Sequence, residues 1–556
     1  MENEEIPAQF SLASFYAGSL KARWIDRVIV ALLILLIIGS PLPFGSVQHL
    51  PIFVIEAIAL LACLLWVFKL ATYGDPAVLN DFRILHAGEK KRLRQFAFLH
   101  RHRWIARALR TLSFGHWPRR NVAENLIQDE AQTVPRRTHY HSLLGFPVKN
   151  TGLEPVILTF LVLLLIQLIP LPSVLFAVLS PATRDLYQSA ARVTEESIQF
   201  HPISLDPTAT LAKLLQYAAY AMIYLVVVNN IRTRVLFAAV LYAIFISGVF
   251  QGVYGLYEFL SGHQHIFAYK KIFNEDVATG TFINRNHYAA YLEMSLPLLI
   301  TVVIGRFVPL RSFRGNIFVR ISHAFETQGS QVLLLAFMIV LVAVSLIFSL
   351  SRSGITFGII SLMTFFLLYW KARETLTRKA LLTLSIAATL AFAVWIGLNP
   401  VIERFLKISE NWELEGARWD VWKNTFNMFL HFPLAGTGAG TFEQVFPMYR
   451  TFMAHVVFDY AHNDYLQFLS ETGLLTFFLM VAIADLILTR IHKILFKRQL
   501  NRLGIVQLGA FCSMLSLAMH SLTDFSFQIP AVAVAACVVT GLFFSHYHAE
   551  NRGITR

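Results

Sequence analysis

Four short polar runs interrupt long apolar ones, and each holds residue types that bind anions or move protons. Ser351-Arg352-Ser353-Gly354 separates two apolar stretches with almost no loop between them. Gly416-Ala417-Arg418-Trp419-Asp420-Val421-Trp422 carries a second arginine, with Trp419 and Trp422 spaced to share one helical face. Tyr460-Ala461-His462-Asn463-Asp464-Tyr465-Leu466-Gln467 crowds an imidazole, amides and a carboxylate together, and Glu471-Thr472-Gly473 follows it. Phe282-Ile283-Asn284-Arg285-Asn286-His287 precedes another apolar run, and His520, Asp524 and Gln528 border a short turn near the end of the chain. A guanidinium fork binds phosphate oxygens bidentately and stays charged at every relevant pH. An imidazole is the side chain best suited to take a proton near neutrality. Each run also has a plainer reading: Arg352 as a snorkelling anchor, the tryptophans as an interfacial belt, and Asn286, Asn463 or Asp464 as helix caps. His520, Ser521 and Asp524 lie too close along the chain to expect triad geometry.

The elements that must position these runs are membrane helices. Of the 556 residues, 56% are hydrophobic, above the roughly 45–50% of soluble chains, and the surplus comes in blocks of about 20 residues, the length that crosses a bilayer. Twelve spans are expected, near 25–46, 51–73, 154–178, 209–229, 235–260, 286–305, 331–350, 354–370, 380–398, 462–488, 503–522 and 528–547. The first 24 residues are mostly polar and no cleavage site follows, so the first span is expected to be retained.

The net charge of +13 would suit a nucleic-acid partner if it lay on one surface, but it falls in alternate loops. The 74–150 segment has 14 Lys and Arg against 6 acids. Arg232 and Arg234, then Arg306, Arg311, Arg314 and Arg320, then Lys371, Arg373, Arg378 and Lys379, then Arg490, Lys493, Lys497, Arg498 and Arg502 follow in every second loop. Positive loops stay in the cytoplasm, which places both termini there and the four polar runs on the opposite face. Within 74–150, the stretch 89–112 alternates bases with apolar residues, as a helix lying on anionic lipid does, although a solvated loop would read similarly. The loop 399–461 is the longest on the opposite face.

The expected organisation is therefore an all-α polytopic membrane protein: an N-terminal hairpin at 1–73, a basic cytoplasmic insertion at 74–150, helices 3–9 over 151–398, a catalytic loop at 399–461 between helices 9 and 10, and helices 10–12 with a cytoplasmic tail over 462–556. Gly436-Thr437-Gly438-Ala439-Gly440 lacks the spacing of a nucleotide loop and reads as a turn. Cys63, Cys512 and Cys537 lie in apolar blocks and read as packing residues. No motif has metal-ligand spacing, and no cofactor is expected.

At these residues the sequence resembles the O-antigen ligase and polymerase superfamily of bacterial polysaccharide assembly. The likeness rests on Ser351 to Gly354, Gly416 to Trp419, the stretch from Phe432-Pro433-Leu434 through Gly436-Thr437-Gly438 to Phe442, Ala461 to Gln467, and Phe282 to Leu292, within about residues 200–545. The resemblance implies a GT-C-like enzyme of the bacterial inner membrane with a periplasmic site. It implies a donor glycan on undecaprenyl diphosphate and a metal-independent, inverting transfer to an acceptor hydroxyl. By that resemblance, Arg352 and Arg418 look like diphosphate-binding arginines and His462 like the catalytic histidine, with Asp524 matching a further acidic position; Asn286, Asn463, Asp464 and Asp524 are the further substrate-binding candidates. The implied partners are the lipid-linked glycan, a glycan or lipid A–core acceptor and the bilayer, with a chain-length regulator as a candidate for the basic insertion. That insertion departs from the family pattern. Within the family the acceptor separates a ligase from a repeat-unit polymerase or a protein glycosyltransferase. Outside it, twelve spans also suit a secondary transporter, and a non-catalytic scaffold is the third reading.

Overall fold

The computed structural model describes residues 12–73, 140–143, 146–195, 199–307, 317–371, 412–453, 457–496 and 500–545. The described residues are predominantly helical, and eight helices are long and apolar enough to cross a membrane. The chain divides into two compact units, Met1–Ile29 with Cys63–Thr151, and Val30–Ala62 with Gly152–Arg556. In the first, Lys69 pairs with Asp26 at 2.5 Å, and strands β1 (Tyr140–Leu143) and β2 (Phe146–Lys149) form an antiparallel hairpin. The second unit holds the four polar runs.

Eleven of the twelve expected spans coincide with helices, and the ninth, 380–398, lies outside the described residues, as do the 89–112 stretch and 399–411. Four have clearly other bounds: the first runs Leu12–Gly39 and the seventh Ile317–Phe348, and the third and tenth are broken. The third ends at Leu168, because Pro170 and Pro172 cannot continue it; the chain enters a short strand pair with Phe200–His201 and then two helices, Ser173–Leu179 and Pro181–Thr194. The tenth span begins at Leu474 rather than at 462. Before it stands a separate short helix, Asp464–Thr472, capped by the Asn463 side chain and closed by Gly473 at φ 76°.

Four helices build the core beneath the polar runs: α1 (Arg285–Phe307), α2 (Ile317–Phe348), α3 (Arg352–Lys371) and α4 (Arg502–His520). α1 is central, packing against α2, α3 and α4, and most of its apolar window is buried. Lipid is as apolar as leucine, so membrane helices associate through close backbone approach between small residues. Gly354 meets that need in α3, where an added Cβ would collide with Ala289 of α1. By contrast, Leu474–Leu495 has little of its surface buried and presents Phe477, Phe478, Val481 and Leu488 outward. α1 and α3 begin, and α2 and α4 end, at the same end of the bundle, which is where the polar runs meet.

The Gly-rich turn is a packing device. Gly436, Gly438 and Gly440 all have positive φ. A Cβ on Gly436 would strike the Glu471 backbone, and one on Gly473 the Leu434 carbonyl. That closeness permits Thr437 N to Ser470 O at 3.1 Å, Gly438 N to Glu471 O at 2.9 Å and Leu474 N to Pro433 O at 2.8 Å. The Gln167 amide donates to the carbonyls of Ala435 and Glu471, both at 2.8 Å, and so pins the turn to the helix Leu153–Leu168.

Candidate active site

Asp524, 1% exposed, is the hub on which the four runs converge. It sits just past α4, in a turn held by Asp524 N to His520 O at 3.0 Å and by its own Oδ1 accepting from Phe525 N at 2.9 Å. His462 Nδ1 lies 3.3 Å from Asp524 Oδ1 and His287 Nε2 lies 3.8 Å from the same oxygen. Asn286 Nδ2 donates to Asp524 Oδ2 at 2.7 Å, and Arg418 Nη2 stands 3.7 Å from that oxygen. Burial pushes the carboxyl up; the nearness of His287 and His462 and the charge of Arg418 outweigh it and hold Asp524 well below the ordinary carboxylate range.

His462 has φ 50°, a left-handed conformation that costs a non-glycine residue about 1–2 kcal/mol. Three neighbours hold it. Trp422 Nε1 donates to its carbonyl at 3.1 Å, the Asn463 amide donates to Leu522 O at 2.9 Å, and Asp464 N donates to Ser521 O at 2.9 Å. The imidazole, with Nδ1 directed to Asp524, keeps Nε2 clear of hydrogen bonds with the described residues. Phe525 packs edge-on against both His462 and His287, with ring centroids 4.8 and 4.7 Å away.

The arginines approach from two other elements. Arg418 lies on the helix Trp412–His431 and donates to Thr523 O at 3.2 Å. Arg352 is half-buried in the first turn of α3, between two residues tied to the site: Ser351 Oγ donates to Asn286 Oδ1 at 2.9 Å, and Thr523 Oγ1 donates to Ser353 Oγ at 2.9 Å. Leu350, just before this run, is also left-handed, at φ 52°. The first turn of α3 adds the positive end of its helix dipole to this region.

The amides and Asp464 are engaged with the scaffold. Asn286 bridges Asp524 and Ser351. Asn463 caps its helix by accepting from Leu466 N at 3.0 Å, a bond whose loss typically costs about 1 kcal/mol. Asp464 accepts from Phe527 N at 2.9 Å, and burial raises its carboxyl to about 7. Beneath the site, His520 Nδ1 meets Glu293 Oε1 at 3.1 Å, with both side chains fully buried, which ties α4 to α1 directly below Asp524.

Sequence reasoning brought Arg352, Arg418, His462 and Asp524 forward but gave no role to His287, Trp422, Thr523, Phe525 or the Glu293–His520 pair. His287 was visible in the run that ends with it. Trp422 donates to the His462 carbonyl, and Thr523 donates to the Ser353 hydroxyl and accepts from Arg418 at its own carbonyl; bonds between residues so far apart leave no local pattern.

Residues 337–481 match the family model described as O-antigen ligase. The match spans Arg352, Arg418 and His462, and it supports the O-antigen ligase and polymerase superfamily for this chain. With the apolar helices it points to a multi-pass membrane enzyme of that kind. No curated protein matches the chain.

Proposed function

We propose that this site transfers a glycan from a polyprenyl diphosphate to an acceptor hydroxyl on the periplasmic face of the bacterial inner membrane. The observation that carries the reading is the His462–Asp524 pair beside Arg418, at the end of the bundle where Arg352 also begins its helix.

The roles follow from the chemistry. Outside the cytoplasm no nucleotide sugar is at hand, so the donor arrives already activated on its lipid carrier. Arg352 and Arg418 bind the diphosphate and stabilise the negative charge that grows on it as the bond from sugar C1 to phosphate oxygen breaks. Asp524 accepts a hydrogen bond from His462 Nδ1–H and so fixes the tautomer whose Nε2 is the base. That nitrogen takes the acceptor's hydroxyl proton as its oxygen attacks C1 from the opposite side, which inverts the anomeric centre. Undecaprenyl diphosphate leaves as the anion. Asn286, Asn463 and Asp464, proposed on resemblance as substrate-binding, serve here as positioning residues, since their side chains hold the turn that carries Asp524. The 74–150 segment remains a proposed cytoplasmic insertion.

Ligase and polymerase differ in the acceptor, and deletion of the gene in its native host separates them. Long glycan stranded on the polyprenyl carrier marks a ligase, which is the reading proposed; single repeat units with no long chains mark a polymerase. Both glycan pools unchanged, in a host without a second copy, would overturn transfer altogether and reopen transport.

A further inference from the structure

A second polar cavity lies on the other side of the 460–462 segment. It has a volume of about 160 Å³ and is lined by Lys213, Glu443, Asp459, Tyr460, Gln467 and Glu471 among others. Gln467 and Glu471 are buried at its floor, where Ala461 N donates to Gln467 Oε1 at 3.0 Å and Phe442 N donates to Glu471 Oε1 at 3.2 Å. Glu443 and Asp459 are exposed at its rim and make no hydrogen bond or ion pair with the described residues. Lys213 spends one donor on Gln528 Oε1 at 3.0 Å and lies over the Tyr460 ring at 5.7 Å. The buried Gln528 Nε2 has no partner among the described residues.

Two exposed carboxylates, with the Glu471 carboxyl that burial pushes up, set against one ammonium make the cavity unfavourable for a phosphate or a second diphosphate. They suit a ligand whose many hydroxyls donate to carboxylates and accept from an ammonium. A sugar ring has that chemistry. Position agrees. Tyr460 stacks on Phe525 at 4.4 Å, and Phe525 in turn touches His462. Ala461 is bonded to the cavity floor and its neighbour His462 to Asp524, so one short segment joins the cavity to the base.

We propose that this cavity is the acceptor subsite of the transferase, taking an uncharged or amine-bearing sugar ring that presents its hydroxyl past Tyr460 to His462. The inference rests on the transfer reading for its biological meaning, but binding can be read without turnover. The probe is the oligosaccharide mixture released by mild acid from the native host's surface glycan, added to the detergent-solubilised full chain, with saturation-transfer NMR as the readout. The wild type transfers saturation to the sugar. Arg352→Ala, on the donor side, retains that signal. The double variant Glu443→Gln/Asp459→Asn weakens binding about tenfold or more, as loss of hydrogen bonds to charged groups does; both positions are exposed, so folding is preserved. In steady-state transfer the same variant raises the acceptor KM and leaves the donor KM unchanged. No sugar signal from the wild type, or an equal signal from the double variant, overturns the subsite. Binding that follows this pattern in a protein that transfers nothing would keep the subsite and reject the transfer reading.

Discussion

The two polar clusters on either side of Phe525 share a scaffold and carry opposite excess charge. Around Asp524, one buried carboxylate gathers Arg418, His462 and His287. Around Lys213, one ammonium faces Glu443, Asp459 and Glu471. The helix Asp464–Thr472 contributes to both, with its Asn463 cap bonded to the Asp524 turn and its last residues flooring the cavity. On the proposed reading, this contrast keeps a diphosphate and a sugar apart within one site: the cationic side would attract the donor's phosphates, and the acidic side would reject them and retain hydroxyls.

Changes on the cationic side have the largest effects. His462→Ala lowers transfer by about 10²–10⁴-fold, the usual contribution of a general base, while the chain still folds; a rate within error of wild type in a reconstituted assay would remove His462 from the chemistry. Asp524→Asn keeps the shape but loses the anion that orients the imidazole, and lowers kcat by about 10²-fold or more without a matching change in acceptor KM. Arg418→Lys keeps the charge and loses the fork, so donor-side kcat/KM falls about tenfold to a hundredfold. If Arg418→Lys shifted only the acceptor KM, the assignment of donor to the cationic side would be reversed.

A smaller effect concerns stability. The Asp464 carboxyl is raised from an ordinary 3.8 to about 7 in the folded chain, chiefly by burial. The folded state therefore binds a proton that the unfolded state has released, and stability falls as pH rises from about 4 to about 7. Asp464→Asn removes that slope in thermal unfolding of the detergent-solubilised protein. Asp524 has the opposite sign: its depressed value stabilises the fold above the ordinary carboxylate range, and that contribution is lost as pH falls through the folded value.

How much of this was legible in the sequence follows from where the information lies. Arg352 and His462 stand out in the sequence because they sit against apolar runs, where a charged or polar group is costly, and Arg418 because it lies with two tryptophans in the long 399–461 loop. Apolar helices could be recognised because lipid dictates their length, and eight of those described are long and apolar enough to cross a membrane. The break at Gly473 was hidden because both sides of it continue the helical pattern, and only the crowding of Leu434 against Gly473 shows why the chain turns there. The break before Pro170 was readable and was overridden by the apolar run around it. Asp524 drew notice only as a polar residue at a short turn and as a further acidic position of the resemblance, since nothing local marks a residue whose partners are Asn286, His287, Arg418 and His462. The cavity around Lys213 assembles residues 213 to 471 and has no signature along the chain at all.

In the proposed transfer, the Arg352 and Arg418 guanidinium groups stabilise the charge that grows on the diphosphate carrier. That role is tested most directly by incubating the purified chain, in chelator, with the polyprenyl-diphosphate-linked glycan and the acceptor glycolipid from the native host, and measuring release of undecaprenyl diphosphate beside the glycosylated product. The account predicts stoichiometric release and product with the wild type, and neither with Arg352→Ala or Arg418→Ala. Full activity in either variant, or wild-type activity that vanishes in chelator and returns only with a divalent cation, would contradict it.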